Sequence, residues 1–203
     1  MEIKKGGKFI NFGCYDCISN DPILNYILEY DLKGYFVDAN FEVLSECRDN
    51  FIGFNYTFVG LGIHTSSGPK TFYEPKRMDN VPEWFYQTGT FSYEKVKEIC
   101  GKLKIPLDSY VEKIIECERI DEFITKRELY DLEVINIALE GLDSQVIRQF
   151  PFSLVKPKVI IIEINSEEGI DNQTFDFICS QGYTSDRTPV TDWSLSFLLK
   201  DSF

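Results

Sequence analysis

The sequence has little of several features that mark whole classes of protein. It contains one histidine, two methionines and two tryptophans, and its 21 basic residues are outnumbered by 33 acidic ones. A net charge of −12 repels phosphate backbones and anionic membranes, so we expect neither nucleic acid nor a membrane as a partner. No apolar run approaches the roughly 20 residues that span a bilayer. The polar start at residues 1–7 also lacks the apolar segment of a signal peptide.

The six cysteines do not form a recognisable metal or disulfide pattern. Most of them are scattered through apolar stretches, as buried free thiols usually are, so we expect no disulfide, a reducing compartment and a cytoplasmic protein. Cys14 and Cys17 leave one alternative open, because a C-x-x-C pair ahead of a helix is typical of a redox site. However, the elements before it differ from a thioredoxin-like order, and no second pair lies at zinc-ligand spacing. We therefore expect no metal.

The chain of 203 residues, 43% of them hydrophobic, predicts a single α/β domain over residues 1–203. Short apolar runs alternate with helical patterns, which indicates right-handed crossovers and a parallel sheet. Predicted strands lie at Lys8–Phe12, Tyr35–Val37, Tyr56–Leu61, Val134–Leu139, Val159–Ile162 and Trp193–Leu199. The first predicted helix starts at Pro22, with Asp21 as its N-cap and Leu28 on its buried face. The other predicted helices span Phe41–Arg48, Ile120–Lys126, Asp143–Phe150 and Gln173–Gln181. Residues 62–120 break the rhythm and predict an irregular insertion that covers the sheet edge or forms a lid.

Polar residues follow several of the predicted strands. They are Gly13 to Cys17, Asp38, the group Glu140, Gly141 and Asp143, and finally Glu163 and Asn165. Ligands of open α/β sheets bind beyond the carboxyl ends of the strands, where an acidic side chain can accept hydrogen bonds from ribose hydroxyls. Each residue also has a simpler interpretation: Gly13 as a turn, Asp38 as a solvated cap, and Glu140 as a complement to a helix N-terminus.

Six segments in order along the chain resemble the motifs of the FkbM-type methyltransferases, a family of S-adenosylmethionine-dependent enzymes. Phe9 to Cys17 resembles F-[IV]-D-[IV]-G-A-N-x-G, and Lys33 to Asn40 resembles G-x-x-[IV]-E-P-N. The remaining segments are Gly62–Gly68, Ile137–Asp143, Pro157–Glu163, and Gly182-Tyr183 with Asp192. Their ordered spacing covers nearly the whole chain.

This resemblance implies a three-layer, Rossmann-like class I methyltransferase fold, with a mostly parallel seven-stranded sheet and an antiparallel last strand. It implies methyl transfer from S-adenosylmethionine to an oxygen, often a hydroxyl of a saccharide or another small molecule. Glu140, our candidate general base, and Glu163 would lie near the reacting groups. The cofactor contacts that the resemblance implies are Asn11, Gly13, Asp16, Asp38, Asn40, Gly60 and Leu61.

Three positions depart from the family pattern. Asn11 replaces the usual acidic residue of the first strand, Cys17 replaces a loop glycine, and Ala138 replaces an acidic residue two positions before Glu140. The alternative function is therefore a binding or scaffolding protein that keeps the fold without the reaction. Titration with S-adenosylmethionine distinguishes a blocked loop from a competent one.

The remaining candidates are aromatic or lie outside the motifs. His64, the only histidine, occupies a Ser/Thr-rich turn that is more typical of surface than of a base. Phe85, Tyr86, Phe91 and Tyr93 in the insertion can stack on a sugar ring, although such rings more often pack a core. An exposed aromatic insertion can also pair chains, so a homo-oligomer is a further expectation.

Overall fold

The structure is a computed structural model that describes residues 2–163, 171–191 and 194–200. Asn165, Asp192 and Trp193, which the sequence patterns singled out, lie outside the described residues. Among the residues described, no helix combines the length and the apolarity needed to cross a membrane.

Strands and helices alternate along most of the described chain. The strands are β1 (Lys8–Phe12), β2 (Lys33–Asp38), β3 (Thr57–Gly60), β4 (Gly62–Ile63), β5 (Gly68–Pro75), β6 (Tyr110–Glu118), β7 (Leu132–Ile137), β8 (Val159–Glu163), β9 (Tyr183–Thr184), β10 (Pro189–Thr191) and β11 (Ser194–Leu199). The α-helices are α1 (Leu24–Tyr30), α2 (Phe41–Asn50), α3 (Tyr93–Leu103), α4 (Ile120–Lys126), α5 (Asp143–Ile147) and α6 (Asn172–Ser180).

One sheet organises the fold, with the strand order β10–β11–β8–β7–β1–β2–β3 and with β9 paired to β11. The five adjacent strands β8, β7, β1, β2 and β3 of this sheet run parallel to one another. Phe12 of β1 lies opposite both Val37 of β2 and Ile137 of β7. The last strand, β11, runs antiparallel to β8. The predicted mostly parallel sheet and its antiparallel last strand are confirmed, and in the described chain β9 adds one strand to the seven expected.

Helices cover both faces of the sheet because its central strands are apolar on both sides. On one face, Ile135 of β7 shares a buried cluster with Ile147 of α5. On the other face, Phe9 of β1 belongs to a cluster with Ile27 of α1 and Leu44 of α2. The predicted three-layer arrangement is therefore present.

The first helix differs from its prediction. α1 begins at Leu24 rather than at Pro22, and Asp21 is not its N-cap residue. Instead, Asp21 Oδ1 accepts a hydrogen bond from Ile23 N (3.0 Å) in the turn before the helix. Leu28, predicted to be buried, is 57% exposed. Because the helix is only 7 residues long, it buries a narrow face and leaves Asp21 in the loop beyond β1.

The middle segment is ordered, so the prediction of an irregular insertion is wrong. β4, β5 and β6 form a second sheet in which β6 pairs parallel to β4 and antiparallel to β5. β6 is the central strand of this sheet, and one of its faces is solvated. Its sequence hides the strand, because the apolar Ile114 is exposed beside the buried Ile115 and so breaks the apolar–polar alternation of a half-buried strand. α3 follows an N-cap at Ser92, whose Oγ accepts a hydrogen bond from Lys95 N (3.3 Å).

The cysteines also differ from the prediction, because Cys17 and Cys47 form a disulfide. Cys17 lies in the loop after β1 and Cys47 in the last turns of α2, with a Cα–Cα distance of 5.3 Å. The two residues are 30 positions apart and meet because β1 and β2 are neighbours in the sheet. The C-x-x-C alternative paired the wrong residues, since Cys17 bonds to Cys47 and Cys14 is a free thiol.

Candidate active site

A cavity of about 920 Å³ opens at the carboxyl ends of the parallel strands. It lies where the strand order reverses between β1 and β7, which is the usual ligand position in open α/β sheets. The insertion contributes the opposite wall, through the segment before α3 and through α3 itself. Thr90 Oγ1 ties this wall to the sheet by donating a hydrogen bond to Glu140 O (2.9 Å). The insertion therefore lies over the carboxyl ends of the strands, whereas the sequence predicts it at the sheet edge or as a lid.

Gly13 turns the chain out of β1 at a point where no side chain fits. Its φ of +71° lies in the left-handed region, and an added Cβ would be 1.7 Å from Ala138 O. Gly13 N also donates a hydrogen bond to Val37 O (2.8 Å). The close approach that requires glycine is thus made to the neighbouring strand ends, while the same residue lines the cavity.

Asp38 ends β2 and holds the loop after β1 in place. Its Oδ2 accepts a hydrogen bond from Tyr15 N (3.0 Å), and its Oδ1 accepts one from Asn40 N (2.8 Å). Burial raises the pKa of this carboxyl to about 6. Asn40 caps α2, because its Oδ1 accepts hydrogen bonds from Glu42 N (3.0 Å) and Val43 N (3.4 Å). Both Asp38 and Asn40, two of the predicted cofactor contacts, line the cavity.

Asn11 has a supporting position behind the cavity wall instead of lining it. This fully buried side chain accepts a hydrogen bond from Asn136 Nδ2 (2.8 Å) and donates one from Nδ2 to Asp21 Oδ2 (2.7 Å). Asn136 and Asp21 both line the cavity. Burial raises the pKa of the Asp21 carboxyl to about 6. Sequence patterns missed these two residues, because Asp21 has the signature of a helix cap and Asn136 interrupts an apolar strand without a motif.

Two other predicted cofactor contacts, Asp16 and Gly60, stabilise the fold near the cavity instead of lining it. The Asp16 carboxylate accepts hydrogen bonds from Ile18 N (3.0 Å) and Ser19 N (2.7 Å), and so fixes the loop rather than lining the cavity. Gly60 packs against Phe41, since an added Cβ would lie 2.2 Å from that ring. The neighbouring Leu61 does line the cavity.

The carboxyl groups of Glu140 and Glu163 lie next to each other on the cavity wall. Glu140 N donates a hydrogen bond to Glu163 Oε2 (3.4 Å). Burial raises the pKa of Glu140 to about 7, whereas the ammonium of Lys95 on α3 acts to lower it. Burial and the nearby charge of Glu140 raise the pKa of Glu163 well above its ordinary range. A carboxyl group whose pKa lies near neutral pH, as that of Glu140 does, can exchange a proton with a ligand.

The turn that contains Glu140 has two consecutive residues with positive φ angles. Glu140 has a φ of 45° and Gly141 a φ of 103°. Asp143 holds this turn, because its carboxylate accepts hydrogen bonds from Leu139 N (2.7 Å) and Gly141 N (3.2 Å). A side chain other than glycine in the left-handed region costs on the order of 1–3 kcal/mol and often marks a functional site.

The aromatic candidates divide between the cavity, the core and the surface, where Tyr93 is exposed. Tyr86 and Phe91 line the cavity together with Trp84, which is 39% exposed. Phe85 is fully buried in the core of the insertion. His64 lies outside the cavity lining and is half-buried rather than at the surface, and burial lowers the pKa of its ring.

Comparisons with known proteins identify a family. The sequence matches the family model for the methyltransferase FkbM domain over residues 16–185. Among solved structures, a methyltransferase FkbM from Methylobacillus flagellatus KT is 13% identical with a TM-score of 0.54, over 97% of this chain and 44% of that chain. A TehB-like SAM-dependent methyltransferase from Corynebacterium glutamicum is 9% identical with a TM-score of 0.41, over 97% of this chain and 82% of that chain. A comparison with curated proteins gave no match.

Proposed function

The chain belongs to the FkbM methyltransferase domain family, and from that membership we propose that it methylates a hydroxyl of a small molecule, a saccharide by class, with S-adenosylmethionine as cofactor. The observation that carries the proposal is one cavity that holds both Asp38 and the carboxyl pair Glu140 and Glu163. The chain spans 44% of the length of the FkbM structure that it resembles. The activity of that longer protein is therefore only proposed for this chain.

The cavity residues fit the cofactor in charge and in hydrogen-bonding capacity. When bound, S-adenosylmethionine supplies a methyl group that its positively charged sulfur has already activated. An ionised carboxylate has about four acceptor sites, and the two backbone donors on Asp38 leave capacity for a pair of ribose hydroxyls. A cavity of about 920 Å³ is near the upper end of the roughly 300–1,000 Å³ typical of ligand sites, which leaves room for an acceptor.

Asp21 compensates for the missing acidic residue of the first strand. Asn11 stands at that position, yet its amide holds the Asp21 carboxylate at 2.7 Å, and Asp21 faces the cavity. A largely buried carboxylate favours a cationic partner, so we assign to Asp21 the ammonium of the methionine part. This arrangement weakens the case for a protein that is silent because of Asn11.

The carboxyl pair supports general base catalysis. Glu140 accepts the proton of the acceptor hydroxyl as that oxygen gains its bond to carbon, and Glu163 stabilises the turn through the backbone N–H of Glu140. The ammonium of Lys95 acts to lower the pKa of Glu140, which favours the ionised form that a general base requires. Three aromatic side chains of the insertion wall, Trp84, Tyr86 and Phe91, line the cavity, and aromatic side chains can pack against a sugar ring, which supports a saccharide acceptor.

Asp38→Ala is expected to weaken binding of S-adenosylmethionine by roughly 10²–10⁴-fold, because two hydrogen bonds to a charged acceptor contribute about 1.5–3 kcal/mol each. Calorimetric titration measures this change. Asp49→Ala, an exposed carboxylate on α2, is the matched control and should bind as the unmodified protein does. Unchanged affinity in Asp38→Ala would show that the ribose assignment is wrong.

Asp21→Asn is expected to weaken S-adenosylmethionine binding by roughly 10–150-fold, since one charge-assisted hydrogen bond is lost. Affinity for 5′-methylthioadenosine, which lacks the ammonium and carboxylate, should not change in this variant, whereas Asp38→Ala should weaken both ligands. Equal losses for the two ligands in Asp21→Asn would refute the ammonium assignment.

Ala138 is the observation that favours the alternative, a binding protein without catalysis, because it removes an acidic residue that the family pattern places there. Incubation with S-adenosylmethionine and a panel of saccharides, followed by mass spectrometry, separates the two functions. Methylated product supports the enzyme. Cofactor binding with no product from any acceptor supports the silent protein.

A further inference from the structure

Three cysteines meet directly behind the cavity wall. The Sγ atoms of Cys14, Cys17 and Cys47 all lie within 4.8 Å of one another, and all three side chains are buried. Two of them share the disulfide, and the third, Cys14, is a free thiol that lines the cavity. The Cys14 thiol, the third sulfur of this cluster, has no role in the methyl transfer proposed above.

We propose that the reduced chain binds one zinc ion through the thiolates of Cys14, Cys17 and Cys47. With Zn–S bonds of about 2.3 Å, tetrahedral coordination separates the sulfurs by roughly 3.8 Å, which the cluster meets after side-chain rotation. The 5.3 Å between the Cα atoms of Cys17 and Cys47 permits that rotation without backbone movement. Three protein ligands leave a fourth position for water, as in open zinc sites.

The surroundings favour a cation and give it a route. The carboxyl groups of Asp38 and Asp21 lie close enough to Cys14 to act electrostatically on its sulfur. The same negative charge attracts a cation to that sulfur. Because Cys14 lines the cavity, an ion entering from solvent reaches the cluster through the cavity.

The chemistry balances with a dithiol as the reductant. The dithiol gives two electrons and two protons to the Cys17–Cys47 bond and becomes a disulfide itself. The three thiols then lose three protons as three S–Zn bonds form. Zinc binding here does not depend on methyl transfer, although the metal would also order the loop whose Tyr15 N contacts Asp38.

Cobalt(II) is the spectroscopic probe for this site. The full chain, reduced with a dithiol that is then removed under an oxygen-free atmosphere, is titrated with Co²⁺ and then with Zn²⁺. We expect a sulfur-to-cobalt charge-transfer band that saturates at one equivalent and disappears on addition of zinc. The oxidised chain should not develop the band, and this comparison needs no variant.

Cys14→Ala and Cys47→Ala should each lower the affinity at least tenfold, whereas Cys117→Ala, a buried cysteine outside the cluster, should not. Circular dichroism confirms that each variant is folded. The proposal is overturned if the reduced chain gives no saturable band, if the oxidised chain gives the same band, or if a folded Cys14→Ala binds unchanged.

Discussion

Gly13→Ala is expected to lower the free energy of unfolding by about 2–5 kcal/mol. The left-handed φ of +71° costs an alanine about 1–2 kcal/mol, and displacing the chain from Ala138 O adds roughly 1–3 kcal/mol or more. Since the strand ends on both sides of Gly13 form the cavity floor, the same substitution should also reduce cofactor affinity. Urea denaturation followed by circular dichroism measures the stability.

Gly53→Ala isolates the backbone part of that effect. Gly53 has a φ of +91°, but an added Cβ meets nothing within 4 Å. Its expected cost is therefore only about 1–2 kcal/mol. Equal losses at positions 13 and 53 would show that the contact with Ala138 is relieved without cost, and that the floor of the cavity is looser than the structure indicates.

Glu140→Gln is expected to slow methyl transfer by roughly 10²–10⁴-fold, because an amide cannot accept the proton of the acceptor hydroxyl. In the unmodified protein, activity should rise as pH increases through about 7, where Glu140 ionises. Initial rates of S-adenosylhomocysteine release as a function of pH measure both effects. A variant that keeps the rate and this pH profile would remove Glu140 from the mechanism.

The same substitution should change how stability depends on pH. The folded carboxyl has a pKa of about 7 against 4.5 for the ordinary group, so the folded state holds more protons than the unfolded state between these values. The stability of the unmodified protein therefore falls as pH rises through this window. Glu140→Gln should flatten that fall, whereas Glu116→Gln, an exposed control, should not. Thermal unfolding at pH 5 and pH 8 tests the difference.

Much of the sheet could be predicted from the sequence, because its central strands and their helices carry strong local patterns. Val159–Ile162 has no polar residue, and that run requires burial on both faces wherever it lies. The insertion could not be predicted in the same way. Its strands are half exposed, and an exposed apolar residue such as Ile114 breaks the apolar–polar alternation that would reveal them.

The site divides in a similar way. Asp38 and Glu140 follow strands directly, and the carboxyl ends of parallel strands meet at one edge, so their place at the cavity follows from the sequence. Asp21 and Lys95 do not follow strands. Asp21 reaches the same cavity through a loop and Lys95 through the insertion, and no local sequence pattern predicts that these two residues lie close to the strand ends.

The sequence by itself determined the alternation of elements, the parallel sheet and the edge at which the carboxylates gather, because periodic burial is a property of neighbouring residues. Only the tertiary structure decided that Asn11 supports Asp21, that Cys17 bonds to Cys47 rather than Cys14, and that Gly60 packs against Phe41 instead of lining the cavity. These contacts join side chains whose distance is fixed by the packing of strands and helices. Sequence separation carries no record of that distance.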